Sequence, residues 1–185
     1  MPDGTAWNVL RSGAAVSSMV RGTTTVSGSA FSISGQSFNV TGGAPTSYSI
    51  SGTLAPQATL TVAAAQGSAG YTLAYNKAYE TPARLADIAG RWNASFGGGA
   101  LQLALEFSAA GVLSGNSSSG CTYSGSAVPH PASVAVFNLN LAETCSGAPT
   151  QQFAGIATLN EARTLLSAAF TTPSLSAGGL FQATR

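Results

Sequence analysis

Leu101-Gln102-Leu103-Ala104-Leu105-Glu106-Phe107 puts an apolar side chain at each odd position and turns Gln102 and Glu106 the other way. Successive side chains of an extended chain point to opposite faces, so a period of two makes a half-buried strand, not an amphipathic helix. The period recurs in Phe31-Ser32-Ile33-Ser34, Tyr48-Ser49-Ile50-Ser51, Leu60-Thr61-Val62, Tyr71-Thr72-Leu73-Ala74-Tyr75 and Phe137-Asn138-Leu139-Asn140-Leu141. The chain is therefore read as all-β. Glycine-marked turns are expected at Ser34-Gly35-Gln36, Thr41-Gly42-Gly43-Ala44-Pro45, Gly97-Gly98-Gly99, Ala109-Ala110-Gly111 and Ala177-Gly178-Gly179. With no long helical period between strands, the arrangement is an antiparallel meander.

Thr81-Pro82-Ala83-Arg84-Leu85-Ala86-Asp87-Ile88-Ala89-Gly90 reads as one short helix, with Thr81 as N-cap, Pro82 at the first helical position and Gly90 closing the end. It divides the chain into an N-terminal antiparallel β region over 5–80, a short helical linker over 81–90 and a C-terminal β-barrel over 90–185. The last region holds eight candidate strands, near 90–96, 101–108, 112–117, 120–126, 133–142, 151–159, 163–171 and 178–184. Eight sequential antiparallel strands suffice to close a small barrel, and closure removes the edges that few charges are available to guard. The N-terminal half offers five or six strands. A weak repeat, Tyr48 to Pro56 against Tyr123 to Pro129, is either a duplicated hairpin or the narrow vocabulary of a Gly/Ser/Thr-rich chain.

Only 7% of the 185 residues are charged, and disorder driven by charge excess is excluded. The seven basic residues, Arg11, Arg21, Lys77, Arg84, Arg91, Arg163 and Arg185, are scattered along the chain. Nucleic-acid binding and attraction to anionic membranes both need a dense basic footprint and lack one here. No apolar run approaches the roughly 18 residues that span a bilayer. Met1-Pro2-Asp3-Gly4 carries neither the charged nor the apolar segment of a signal peptide. Export is read instead from Cys121 and Cys145, 24 positions apart and next to strand ends, a spacing that suits one disulfide between neighbouring strands. The other reading is a pair of unlinked thiols.

The residues argue against catalysis. His130, the single histidine, sits between Pro129 and Pro131 and is expected to be exposed on a stiff connection. No Gly-x-Ser-x-Gly nucleophile elbow, zinc pattern, calcium cluster or phosphate loop is present, and Gly97-Gly98-Gly99 reads as a hairpin turn. The four glutamates show no pairing that marks an acid and a base. The expectation is no enzyme, no cofactor and no metal. Asn39, Asn93 and Asn116 head Asn-x-Ser/Thr triplets of the kind chance produces in such a chain.

Gly90-Arg91-Trp92 followed by a glycine-rich turn and the strand from Leu101 resembles the opening of lipocalin-like and avidin-like barrels. That resemblance implies Trp92 at the barrel floor beside a ligand cavity. The alternative is a tryptophan plugging a packed end, and the lack of a second tryptophan in this half favours the plug.

Four segments carry a wider resemblance: Leu85 to Trp92, Phe107 to Gly115, Ser119 to Gly125, and Cys145 with Phe153 to Ala157. They are similar to small exported lipoproteins and surface antigens of Burkholderia-like Gram-negative proteobacteria, mainly over 85–185. The likeness implies a periplasmic or outer-membrane location and a lipid anchor, although the family's lipid-bearing cysteine is not in this sequence. The expected role is a non-catalytic envelope protein whose loops meet a protein or glycan partner and are seen by host antibodies. A barrel binding a small apolar ligand and a periplasmic enzyme inhibitor are the competing expectations.

Overall fold

The computed structural model describes residues 3–12, 15–40, 42–64, 69–96 and 99–185. The chain forms two compact units, Met1–Lys77 and Ala78–Arg185. All strand pairings in both are antiparallel between neighbours, as the alternating runs require.

The N-terminal unit is a six-stranded open meander: β1 (Thr5–Ser12), β2 (Ala15–Ser27), β3 (Ala30–Asn39), β4 (Thr46–Ala55), β5 (Thr59–Val62) and β6 (Tyr71–Ala74). Phe31 and Ile33 are buried while Ser32 and Ser34 are exposed, and with Ala6 and Val62 they make a small core that Ile50, Leu54, Leu60 and Tyr71 flank. The turn expected at Ser34-Gly35-Gln36 does not form, because β3 runs straight through it with Gly35 paired to Gly22. A Cβ on Gly35 would collide with the Arg21 carbonyl, so the glycine marks a close backbone approach inside the sheet.

The C-terminal unit is the expected closed barrel of eight strands: β7 (Gly90–Phe96), β8 (Leu101–Phe107), β9 (Val112–Ser117), β10 (Thr122–Pro129), β11 (Phe137–Thr144), β12 (Gln151–Leu159), β13 (Leu165–Thr171) and β14 (Gly178–Thr184). β14 returns to β7 at Thr184 and Asn93 and closes the ring. β10 and β11 lie two to four residues later than expected. Gly120 is held in a turn by Ser117, and Ser133, at φ 55°, belongs to the connection between the strands. Part of the Gly97-Gly98-Gly99 turn lies outside the described residues.

Side-chain size alternates across the bore. Inward-facing Gly115 lies between Leu105 and Tyr123, Gly125 between Leu113 and Leu141, and Gly155 between Leu139 and Phe170. Gly179 faces Phe170, whose ring carbon Cζ would stand 2.8 Å from an added Cβ. Small beside large is how a narrow barrel fills its interior without voids. Trp92, Phe107, Phe137, Leu105 and Leu166 are each at most 2% exposed, every one contributing roughly 2 kcal/mol of apolar burial. Outward positions such as Asn93, Gln102, Asn138, Asn140 and Gln152 are polar, the reverse of a barrel that faces lipid. Among the described residues no helix is long and apolar enough to cross a membrane.

The helix expected over Thr81–Gly90 contracts to α1 (Leu85–Ile88), preceded by a 3-10 turn at Lys77–Glu80. Arg84 is extended and offers no side-chain cap. The reason is tertiary: the Ala83 N–H donates to the Val134 carbonyl at 3.0 Å, and the Ala135 N–H to Tyr79 at 2.9 Å, so the segment before α1 is held against a barrel loop. Gly90, at φ 110°, turns the chain directly into β7.

α1 closes one end of the bore, here called the floor, with Ile88 wholly buried. A short helix leaves its last carbonyls without internal partners, and two side chains supply them. Trp92 Nε1 donates to the Ile88 carbonyl at 2.7 Å. Arg185 lies 4.4 Å above the Trp92 ring and donates to the carbonyls of Asp87 (2.7 Å), Ala89 (3.2 Å) and Arg163 (2.7 Å). Arg163 pairs with the Asp87 carboxylate at 2.9 Å. Trp92→Phe removes the indole donor and leaves the Ile88 carbonyl unpaired; the expected loss is about 2 to 4 kcal/mol of unfolding free energy. A urea transition followed by far-ultraviolet circular dichroism measures it, with exposed Arg185→Ala costing less.

Candidate functional site

The opposite end of the barrel, the mouth, is not closed in this way. There the inward side chains of seven strands, β8 to β14, line a half-open cup of about 150 Å³. Its walls are Leu101, Leu103 and Leu105, Leu141, and the rings of Phe153, Phe170 and Phe181, with Ser117, Tyr123 and Glu143 as the polar members. Phe153 meets Phe170 edge-on at 5.2 Å and Phe170 tilts against Phe181 at 6.0 Å, so one aromatic row forms a single wall. Small Gly179 leaves the space into which Phe170 leans.

Tyr123 and Glu143 are directly opposed on β10 and β11, and the Tyr123 hydroxyl donates to Glu143 Oε1 at 2.7 Å. Burial first, and then the hydrogen bond to Glu143, push the Tyr123 phenol up to about 12. The residues just beyond the next pair, Cys121 and Cys145, form the expected disulfide with Cα atoms 4.2 Å apart, tying the two strands together at the rim. Cys121, Glu143 and Cys145 bring ligand atoms within 4.8 Å of one another. The sulfurs are bonded to each other, so the carboxylate alone could bind a cation there.

The other residues singled out by the sequence lie elsewhere. Trp92 is at the floor, fully enclosed, and does not line the cup. His130 is buried, at 8% exposure, where exposure was expected. The Pro-His-Pro segment folds back on itself: His130 N–H donates to Val136 at 2.9 Å and the Ala132 N–H donates to His130 Nδ1 at 3.2 Å. His130 follows Tyr123 by seven residues on the way to the floor, so Glu143 and the imidazole are separated by roughly 20 Å at ~3.3 Å per residue. They do not form an acid–base pair.

The Tyr123–Glu143 pair escaped the sequence reading, although a signal for it exists. The inward parity of Phe137, Leu139 and Leu141 leads next to Glu143, a carboxylate where an apolar side chain is due. Other hollows among the described residues are less enclosed by apolar groups. One of about 200 Å³ lies by the floor between Pro82, Asp87, Glu161 and Arg163. A broad one of about 600 Å³ crosses the outer face over Arg91, Asn93, Gln102, Asn116 and Gln182. The mouth cup is the candidate site because an apolar wall and convergent polar groups occur together there.

Comparison with protein-family models, curated proteins and solved structures finds no match to this chain.

The raised Tyr123 value has a consequence for stability. The folded barrel holds this proton more tightly than the unfolded chain, so the contribution is whole below pH 10 and is lost as pH rises from 10 through about 12. In the N-terminal unit Tyr48 is also pushed up to about 12, by burial first and then by Tyr71 beside it. Ultraviolet titration at ~295 nm is expected to show two late-titrating phenols, one of which disappears in Tyr123→Phe.

Proposed function

We propose that this chain is a non-catalytic exported envelope protein whose barrel mouth binds a partner. One observation carries the reading: the two ends of the barrel are built differently. The floor is stoppered by α1, Trp92 and Arg185, whereas the mouth keeps an apolar cup between Gly/Ser/Thr-rich loops. Connecting loops on a rigid scaffold are where binding groups usually concentrate. The resemblance over 85–185 to small exported lipoproteins, and the disulfide at the rim, support the envelope or periplasmic setting. A protein or glycan partner, including host antibodies, would meet the loops first, with one apolar group entering the cup as an anchor. An inhibitor of a periplasmic or host enzyme is the same geometry with a tighter partner.

A second reading, the capture of a small apolar ligand without a protein partner, draws on the three phenylalanines and the leucines along the cup wall. Leu101 is half-buried at the rim, so Leu101→Trp is expected to fill the cup and keep the fold. The test screens immobilised protein against envelope extract, host serum and a glycan array. Binding at least tenfold weaker in Leu101→Trp, with an unchanged circular dichroism spectrum, is the expected result. Binding indifferent to that substitution, or substrate turnover abolished by Glu143→Gln, would overturn the reading.

A further inference from the structure

Glu143 is unmatched in charge. Among the described residues, the loops at the mouth, 99–100, 118–121, 145–150 and 172–177, contain no side chain that ionises once the disulfide has formed. The barrel unit's cations gather towards the other end. Arg163 and Arg185 hold the floor, Arg84 precedes α1, and Arg91 is the second residue of β7, which starts at the floor. Among the described residues the single ion pair is Arg163 with Asp87, and Glu143 takes no part in one. Its Oε1 accepts from Tyr123, which leaves acceptor capacity on the second oxygen, since an ionised carboxylate accommodates about four hydrogen bonds.

Glu143 is a half-buried carboxylate in a cup lined by Leu103, Leu141, Phe170 and Phe181, with one hydrogen bond from Tyr123 and, among the described residues, no cation to balance its charge. The group that compensates it best is a cation with N–H donors, and the group that suits the rest of the cup is apolar and small. A volume of about 150 Å³ admits one benzene-sized body. The aromatic wall adds to the preference for positive charge, because ring faces attract cations and carry no charge of their own. An anion would meet Glu143 with no cation to offset the repulsion. A neutral ring would bury the same apolar area but leave the charge of the carboxylate unbalanced. A quaternary ammonium would satisfy the charge and make no hydrogen bond.

We infer that the mouth cup binds a primary or secondary organic amine: a ring-sized apolar body lies between Leu103, Phe170 and Phe181, and the protonated nitrogen at the rim donates to Glu143. The inference rests on the reading of the mouth as the binding site. A free amine and a lysine side chain of a protein partner share this chemistry. The size of the cup and its single carboxylate set the selectivity, and Tyr123 positions that carboxylate through its hydroxyl.

The test titrates the whole chain, at neutral pH and followed by amide and methyl NMR shifts, with four probes: benzylamine, benzyl alcohol, benzoate and N-acetyl-lysine methylamide. Benzylamine is expected to shift Leu103 and Leu141 saturably and to bind at least tenfold more tightly than benzyl alcohol, with benzoate silent. Glu143→Gln, which can still accept from Tyr123, is expected to remove that tenfold advantage and leave benzyl alcohol binding unchanged. The lysine probe binding as well as benzylamine assigns the ammonium to a protein partner, and its failing assigns it to a free amine; both support the amine inference. Equal binding of benzylamine and benzyl alcohol in the cup, or an amine advantage that survives Glu143→Gln, overturns it while leaving the mouth as a binding site. The mouth reading itself falls separately, if partner capture is indifferent to Leu101→Trp.

Discussion

A ring of eight strands encloses a bore that only its own inward side chains can fill, and every other feature of the barrel follows from how they do so. Each strand contributes an inward residue at every second position, and at several levels a large one on one strand is matched by a small one on its neighbour. Hence glycine sits beside tyrosine, leucine and phenylalanine at Gly115, Gly125, Gly155 and Gly179. Where Trp92, Phe107 and Phe137 point inward, near the floor, the interior is solid. At the other end the row of Phe153, Phe170 and Phe181 stands along one wall, and a space remains.

The ends of the barrel divide the chemistry between them. At the floor a one-turn helix exposes carbonyls that must be paired, and an indole and a guanidinium do so while stacking on each other. That end is therefore rich in charge and hydrogen bonds, and closed. The mouth has a disulfide for a fastening and loops of small neutral residues. In a molecule with so few ionisable groups, one carboxylate left among phenylalanines weighs heavily in the local electrostatics, since no neighbouring cation screens or balances it.

The N-terminal unit solves the same problem with less material. Its six strands stay open, and its core is a handful of residues led by Phe31, Ile33 and Val62. Glycine acts alike in both units: the Gly22–Gly35 pair, like Gly125 and Gly155 in the barrel, lets adjacent backbones approach where a side chain would collide, and Gly179 in addition yields volume to the Phe170 ring.

The period of two in Leu101 to Phe107 and its relatives was enough to determine that the chain is all-β; the run of turn-separated segments gave eight antiparallel strands in its second half, and the spacing of Cys121 and Cys145 suited a disulfide without deciding it against unlinked thiols. Those properties are local, or follow from chain order. The helix over Thr81–Gly90 was overdrawn because the competing hydrogen-bond partners are the Val134 carbonyl and the Ala135 N–H, and a local window contains neither. His130 was placed in solvent because its flanking prolines predict a stiff connection but not what folds over it. Glu143 carried a legible signal, its inward parity, yet the parity alone names no neighbours. Which end of the bore is plugged, which is hollow, and that a tyrosine and an unbalanced carboxylate meet at the hollow end, are decided only when the strands close and fix the height of each inward residue relative to those on the other strands.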